Sequence, residues 1–138
     1  MKTFLKYSIF ILFLTLSACA SSDTGLSLQG NLWNLSELNG KEYFPDDRYD
    51  PAYIEFGQDG MISGTGGCNE IFGSYETSGR NITIKSAITA KYCDGIMDTE
   101  LDLDAALRSA DRYKTTKDEL YLYKDGKVIA KFFALIIK

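Results

Sequence analysis

Histidine is absent from the 138 residues. That absence removes the commonest general base, the commonest metal ligand and every Ser-His-Asp arrangement at once. Proline is nearly missing, with Pro45 and Pro51 alone, so punctuation falls to glycine. Positive charge is in deficit: 15 Lys and Arg stand against 19 Asp and Glu, for a net charge of −4 at pH 7. Lys85, Lys91, Lys114, Lys117, Lys124, Lys127 and Lys131 are scattered among acids. A chain without a basic patch has little with which to displace counterions, which argues against nucleic acid or anionic lipid as the main partner. The longest apolar run falls short of the roughly 20 residues a spanning helix needs. What is present is 45% hydrophobic and 13% aromatic, enough for one globular domain with a core of its own.

The amino terminus carries an export address. Lys2 and Lys6 precede an apolar run over Tyr7 to Leu14, and the small residues Ser17 and Ala18 suit cleavage before Cys19. Leu16-Ser17-Ala18-Cys19 resembles the lipobox of bacterial lipoproteins. The resemblance implies removal of residues 1–18, a diacylglycerol on the Cys19 thiol and acylation of the new amino terminus. Each buried methylene contributes about 0.8 kcal/mol and two chains suffice for stable anchoring, so a lipidated Cys19 holds the protein on a membrane without spanning it. Residues 19–27 then read as a lipidated start and a small, polar tether, and residues 28–138 as the folded domain. Ala20 is not the aspartate that retains such proteins at the inner membrane in enteric bacteria. The preferred address is therefore the cell envelope, at the outer membrane facing the periplasm.

Lipidation of Cys19 leaves Cys68 and Cys93 in an oxidising compartment, where an even pair predicts one disulfide; the competing reading is two buried free thiols. Along the domain, glycines recur about every ten residues between short β-branched and aromatic runs, the rhythm of an antiparallel sheet. Strands are expected at 32–35, 53–56, 61–64, 73–77, 81–85, 113–116, 119–123 and 128–135. Gly57 to Gly60, Ser78 to Arg80 and Lys124 to Lys127 are hairpin turns between them. Asp94 to Arg112 breaks the rhythm: Ile96, Met97, Glu100, Leu101, Leu103, Leu107 and Ala110 recur at helical spacing, and Asp98, Glu100, Asp102 and Asp104 crowd the first half, favoured by the helix dipole.

Chemistry-bearing candidates are few. Asp46, Asp47, Asp50, Glu55 and Asp59 could serve a carboxylate-based hydrolase, but exposed loop acids are common and no partner pattern accompanies them. Asp94-Gly95 and Asp102-Leu103-Asp104 do not reproduce the alternating ligands of a calcium loop, so no metal and no cofactor are expected. Gly64-Thr65-Gly66-Gly67-Cys68-Asn69 lacks the Lys-Ser or Lys-Thr of a phosphate loop and reads as a tight reversal, with the Asn69 amide serving backbone groups of the turn. Tyr43, Phe44, Tyr49 and Tyr53 either pack in the core or line a ligand groove.

Gly64-Thr65-Gly66-Gly67-Cys68-Asn69 followed by Gly73-Ser74-Tyr75, and Thr89-Ala90-Lys91-Tyr92-Cys93 followed by Met97-Asp98-Thr99-Glu100, resemble the META domain (HslJ-like) family. Trp33, Leu35 and Gly40 fit its opening, Ile54, Phe56 and Gly60 its second strand and turn, and Leu107, Tyr113, Leu120, Leu122 and Gly126 its closing pattern. The family motif thus falls on Gly64, Gly67, Cys68, Asn69, Gly73, Tyr75, Thr89 and Cys93. The chain departs from the family at Ala90-Lys91-Tyr92, where many members carry Arg or Lys and then Met. The resemblance implies a compact, antiparallel, barrel-like β domain with one packed helix, no catalytic residues, and a part in envelope stress and antibiotic tolerance. The expected function is a non-enzymatic envelope lipoprotein that binds another envelope component. The alternatives are a small ligand-binding or inhibitor-type module and, last, the hydrolase.

Overall fold

The computed structural model describes residues 25–135; the leader, Cys19, the first part of the expected tether and the last three residues lie outside the described residues. Nine strands and one helix follow in order: β1 (Leu32–Leu38), β2 (Lys41–Glu42), β3 (Tyr53–Phe56), β4 (Met61–Thr65), β5 (Glu70–Ser78), β6 (Asn81–Ile88), α1 (Met97–Ser109), β7 (Arg112–Thr115), β8 (Glu119–Lys124) and β9 (Lys127–Ala134). All the strand pairs are antiparallel. The local reasons are the ones the sequence carries. Ile82 and Ile84 are buried while Asn81, Thr83 and Lys85 are exposed, the two-residue period of a half-wetted strand. Asp125 and Gly126 both take positive φ, 50° and 77°, which matches the twist of the β8–β9 hairpin they close. Asp59 caps the β3–β4 turn by accepting the Met61 N–H at 3.0 Å.

The barrel-like expectation does not hold. The strands form one sheet in the order β2-β1-β3-β4-β5-β6-β7-β8-β9, and β1 also pairs with β9, which curls the sheet around its core. A barrel needs an unbroken ladder around its circumference. Here β6 and β7 share a single residue pair, Asn81↔Arg112, held by Ile82 N–H to Asp111 O and Tyr113 N–H to Arg80 O. Beyond that pair the seam is open, because the chain leaves β6 for the segment that builds α1, and α1 packs mainly along β6. The sheet is therefore rolled and not closed, and its core of Trp33, Ile54, Phe56, Ile62, Ile71, Leu120, Leu122 and Phe132 is completed by Leu103 and Leu107 of α1.

The helix is shorter than the expected Asp94–Arg112, and its inner stripe differs. Leu101 faces solvent, while Glu100 and Asp104 are buried beside Leu103 and Leu107. Asp104 accepts the Ser86 hydroxyl at 2.6 Å and the Arg108 guanidinium at 3.0 Å, which ties α1 to β6. Before β1 the chain is already docked on the sheet: Leu26 N–H donates to Thr116 O at 2.8 Å, and the Trp33 indole donates to Leu28 O at 2.9 Å.

Candidate functional site

The two motif segments meet at one end of the rolled sheet, and a helix carboxylate joins them. Glu100, 1% exposed, turns its Oε1 to the backbone N–H groups of Cys68 at 2.8 Å and Asn69 at 2.6 Å, while Oε2 accepts the Asn69 amide at 2.7 Å. Asn69 spends its remaining capacity on the segment after β6. Its Oδ1 accepts the Thr89 hydroxyl and the Lys91 N–H, each at 2.8 Å, and its Nδ2 also reaches Lys91 O at 3.0 Å. The amide thus stands in for a strand partner to Lys91, a role outside the turn in which the sequence places it. Thr89 Oγ1 accepts the Glu70 N–H at 3.0 Å, and Cys68 is bonded to Cys93, their Cα atoms 6.3 Å apart. A Cβ at Gly66 would lie 2.7 Å from Cγ of Glu100, so the space for the carboxylate exists because this residue is glycine. Gly67 has φ +126°, which lets the chain reverse into Cys68.

This arrangement is an anion cradle filled from within. Thr65 Oγ1 takes the Gly67 N–H, and Glu100 takes the next two, so the N–H groups that a bound phosphate needs are already satisfied. The remaining motif residues are structural as well. Gly64 and Gly73 lie in β4 and β5, where the backbones of β3 and β6 leave no room for a Cβ. The Tyr75 ring meets Phe56 edge-on at 4.9 Å, and its hydroxyl donates to Gly57 O at 2.7 Å. Sequence reasoning missed Glu100 as the centre of this network. The signal was present in its spacing, three residues before Leu103 and seven before Leu107, on the inward stripe. Among the described residues, no group of three or more His, Cys, Asp or Glu side chains is arranged to hold a metal ion.

The loop from Tyr43 to Ala52 forms a strap whose two ends are bonded along the edge of β1, between β2 and β3. Tyr43 N–H donates to Ser36 O at 2.9 Å, the Tyr43 hydroxyl accepts the Ala52 N–H at 3.1 Å, and Leu35 N–H donates to Ala52 O at 2.9 Å. At the far end of the strap, Arg48 bridges Asp46 at 2.8 Å and Asp94 at 3.4 Å, and the Tyr49 hydroxyl donates to Asp94 O. The guanidinium holds the Asp46 carboxyl down at about 2, and Asp46 in turn raises Arg48. Two of the five acids of the hydrolase reading are occupied locally, Asp46 by Arg48 and Asp59 by its turn. Of the four aromatics singled out in this region, Tyr43 and Phe44 line an open groove of about 450 Å³, together with Pro45, Pro51, Phe133 and Leu135. Tyr49 faces Asp94, and Tyr53 pairs across the ladder with Asn34. Phe44 is 77% exposed. A second pocket of about 620 Å³ begins where the first ends, sharing Glu42, Tyr43 and Phe44.

The META domain family model matches residues 26–134, from the docked segment before β1 to the end of β9. The chain belongs to the META domain family. This is a META-domain fold. No curated protein matches it significantly. Three solved structures are similar. One protein solved by NMR shares 26% identity at a TM-score of 0.61, over 78% of this chain and 95% of that one. A protein from Burkholderia xenovorans, also solved by NMR, shares 21% identity at a TM-score of 0.65, over 80% and 85% of the two chains. A DUF4847 family protein from Bacteroides vulgatus shares 19% identity at a TM-score of 0.58, over 77% and 93%. The last two likenesses concern the fold alone. Within the META domain the glycine-cysteine-asparagine motif lies in the filled cradle, while an open apolar groove lies beside the strap.

Proposed function

We propose that this META-domain protein is a non-enzymatic envelope lipoprotein, anchored through Cys19 at the outer membrane facing the periplasm, which supports envelope stress tolerance by binding another envelope component. The observation that carries the partner-binding part is the pair of adjoining pockets along the strap, with Phe44 held in water beside them. Large apolar groups gathered at a rim mark surfaces that meet something else. The lipobox-like Leu16-Ser17-Ala18-Cys19 supports the anchor, with residues 19–27 leading to the docked start of the domain. Among the described residues, no helix is long and apolar enough to cross a membrane, so a membrane attachment through this chain relies on the lipid or on residues outside that range. Two measurements test the reading. Mass spectrometry of the mature protein should find a chain starting at an acylated Cys19, and Cys19→Ser should leave the membrane fraction or persist as uncut precursor. An unmodified Cys19 in the mature protein contradicts the anchor. Crosslinking in intact envelopes should give adducts on residues of the strap, and adducts confined to other faces contradict the partner-binding surface.

A further inference from the structure

Asn34 lies in the floor of the groove beneath the strap, 8% exposed, and its Nδ2 is buried with no hydrogen-bond partner. A buried donor left unpaired costs free energy, and native structures rarely keep one without a use for it. Around it the walls are apolar: Tyr43, Phe44, Pro45, Pro51, Phe133 and Leu135. Asn34 sits directly opposite Phe133 of β9 and Tyr53 of β3 in the ladders, so its side chain shares the outer face with both. The groove runs into the second pocket, where Glu42, Asp98 and Asp102 stand with Lys41, and where Asp46 is already paired with Arg48. An apolar trough with one buried donor, opening on an acidic pocket, describes the complement of a particular ligand.

We propose that this double site binds an extended peptide segment of a partner protein, apolar in its middle and flanked by a lysine or arginine, with the Asn34 side chain turning toward the groove so that a backbone carbonyl of the segment accepts from its Nδ2. The inference rests on the partner-binding reading above and names its site and the chemistry of the partner. A lipid chain fills an apolar groove but carries no acceptor along its length, whereas an extended peptide presents a carbonyl at every residue. Prolines at 45 and 51 offer rigid walls without N–H groups of their own, so they neither compete for nor satisfy the acceptors of the ligand. Aromatic and proline-lined troughs with a side-chain donor are a recurrent way to hold extended segments. The volume, about 450 Å³ for the trough, lies within the roughly 300–1,000 Å³ of sites that enclose small ligands, which suits a few residues of peptide and no more. The acids of the second pocket select the sign of the flanking charge.

The test uses the full chain in phosphatidylcholine nanodiscs and a dansyl-labelled, end-blocked Lys-Leu-Pro-Leu-Lys peptide, with empty nanodiscs as the blank. Saturable binding is expected, about three- to tenfold weaker for Asn34→Leu through loss of one hydrogen bond. The charge-reversed peptide Glu-Leu-Pro-Leu-Glu should bind at least about tenfold more weakly. Phe44→Ser, a change at an exposed side chain, should keep the urea midpoint of the parent and lose peptide affinity, which keeps the test valid if Asn34→Leu unfolds. No saturable binding, equal binding of the two peptides, or an affinity untouched by Phe44→Ser overturns the proposal. Equal competition by dodecyl maltoside monomers assigns the groove to lipid chains, and a rise in affinity on deleting residues 136–138 assigns it to the end of this chain; either result also overturns it. Envelope adducts on the strap that persist when the peptide result is negative leave the partner-binding reading standing and defeat only the peptide chemistry.

Discussion

The two polar regions of this META domain handle their hydrogen-bonding groups in opposite ways. At the filled cradle, Glu100, Asn69 and Thr89 satisfy one another, and Glu100 and Thr65 between them take the N–H groups of the reversed backbone at Gly67, Cys68 and Asn69. Under the strap, Asn34 is buried almost as deeply and its amide nitrogen is left without a partner, next to rings that stand in water. The first region has nothing left to offer a ligand and much to lose if altered. The second leaves a buried donor unpaired. A motif conspicuous in sequence is therefore, in this protein, a device for stability, and the surface proposed to meet a partner is built from residues that form no motif.

Three results sharpen or break that contrast, beginning with the largest. The disulfide ties the reversed loop to the segment ahead of α1 across 25 residues. Cys68→Ala and Cys93→Ala should each lower stability by about 2–5 kcal/mol, and the double variant should lose little more than either single one, because one bond is lost in all three. Urea unfolding of the oxidised protein checks this, and additive losses break it. Next, Leu107 is fully buried against the core, and Asp102, five residues earlier on the helix, faces solvent. Leu107→Ala should cost about 2–5 kcal/mol through lost burial and a residual cavity, and Asp102→Ala less than about 0.5 kcal/mol. Smallest is the effect at the strap. Asp46 titrates at about 2 because Arg48 holds its charged form, against an ordinary value of 3.8. A carboxyl depressed on folding stabilises the native state above its ordinary value, and that contribution is lost as pH falls from about 3.8 towards 2. The pair is exposed and screened, so the melting temperature of Arg48→Gln at pH 7 should stay near the parent, while the Asp46 carboxyl resonance should titrate well above 2.

Much of the fold was legible because strands that bury one face announce themselves by alternation. Tyr53–Phe56 was read at its full extent, and Ile82 with Ile84 gave the inward face of β6. The sheet closure was misread because residue patterns report which face a strand buries and not how many rungs it shares with its neighbour. The single Asn81↔Arg112 rung follows from where the chain departs to build α1, a long-range consequence with no local signature. β5 begins at Glu70, ahead of the expected Gly73, because its pairing with β6 continues through the glycine to Ile71↔Ile88. The cradle was half legible. The glycines and cysteines mark a tight, crosslinked reversal, but Glu100, which the sequence places both on the helical stripe and among the acids at the start of the helix, carries no sign of the backbone N–H groups it reaches. Asn34 gave no signal, since an asparagine between Trp33 and Leu35 reads as the polar face of a strand until the strap that covers it is known.

The central claim is that the motif end holds the fold together and the strap does not, and urea unfolding of Glu100→Gln beside Phe44→Ser tests it most directly. Glutamine places an NH₂ against the Asn69 amide, which cannot turn over because its Oδ1 is held by Lys91 N–H and the Thr89 hydroxyl. Two donors then face each other in a buried site, and the charge-assisted bonds to Cys68 and Asn69 weaken. The account predicts a loss of about 2–4 kcal/mol for Glu100→Gln, seen as a midpoint lower by about 1–2 M urea, with Phe44→Ser within about 0.5 kcal/mol of the parent. Equal midpoints for the two variants, or a larger loss from Phe44→Ser, would contradict it.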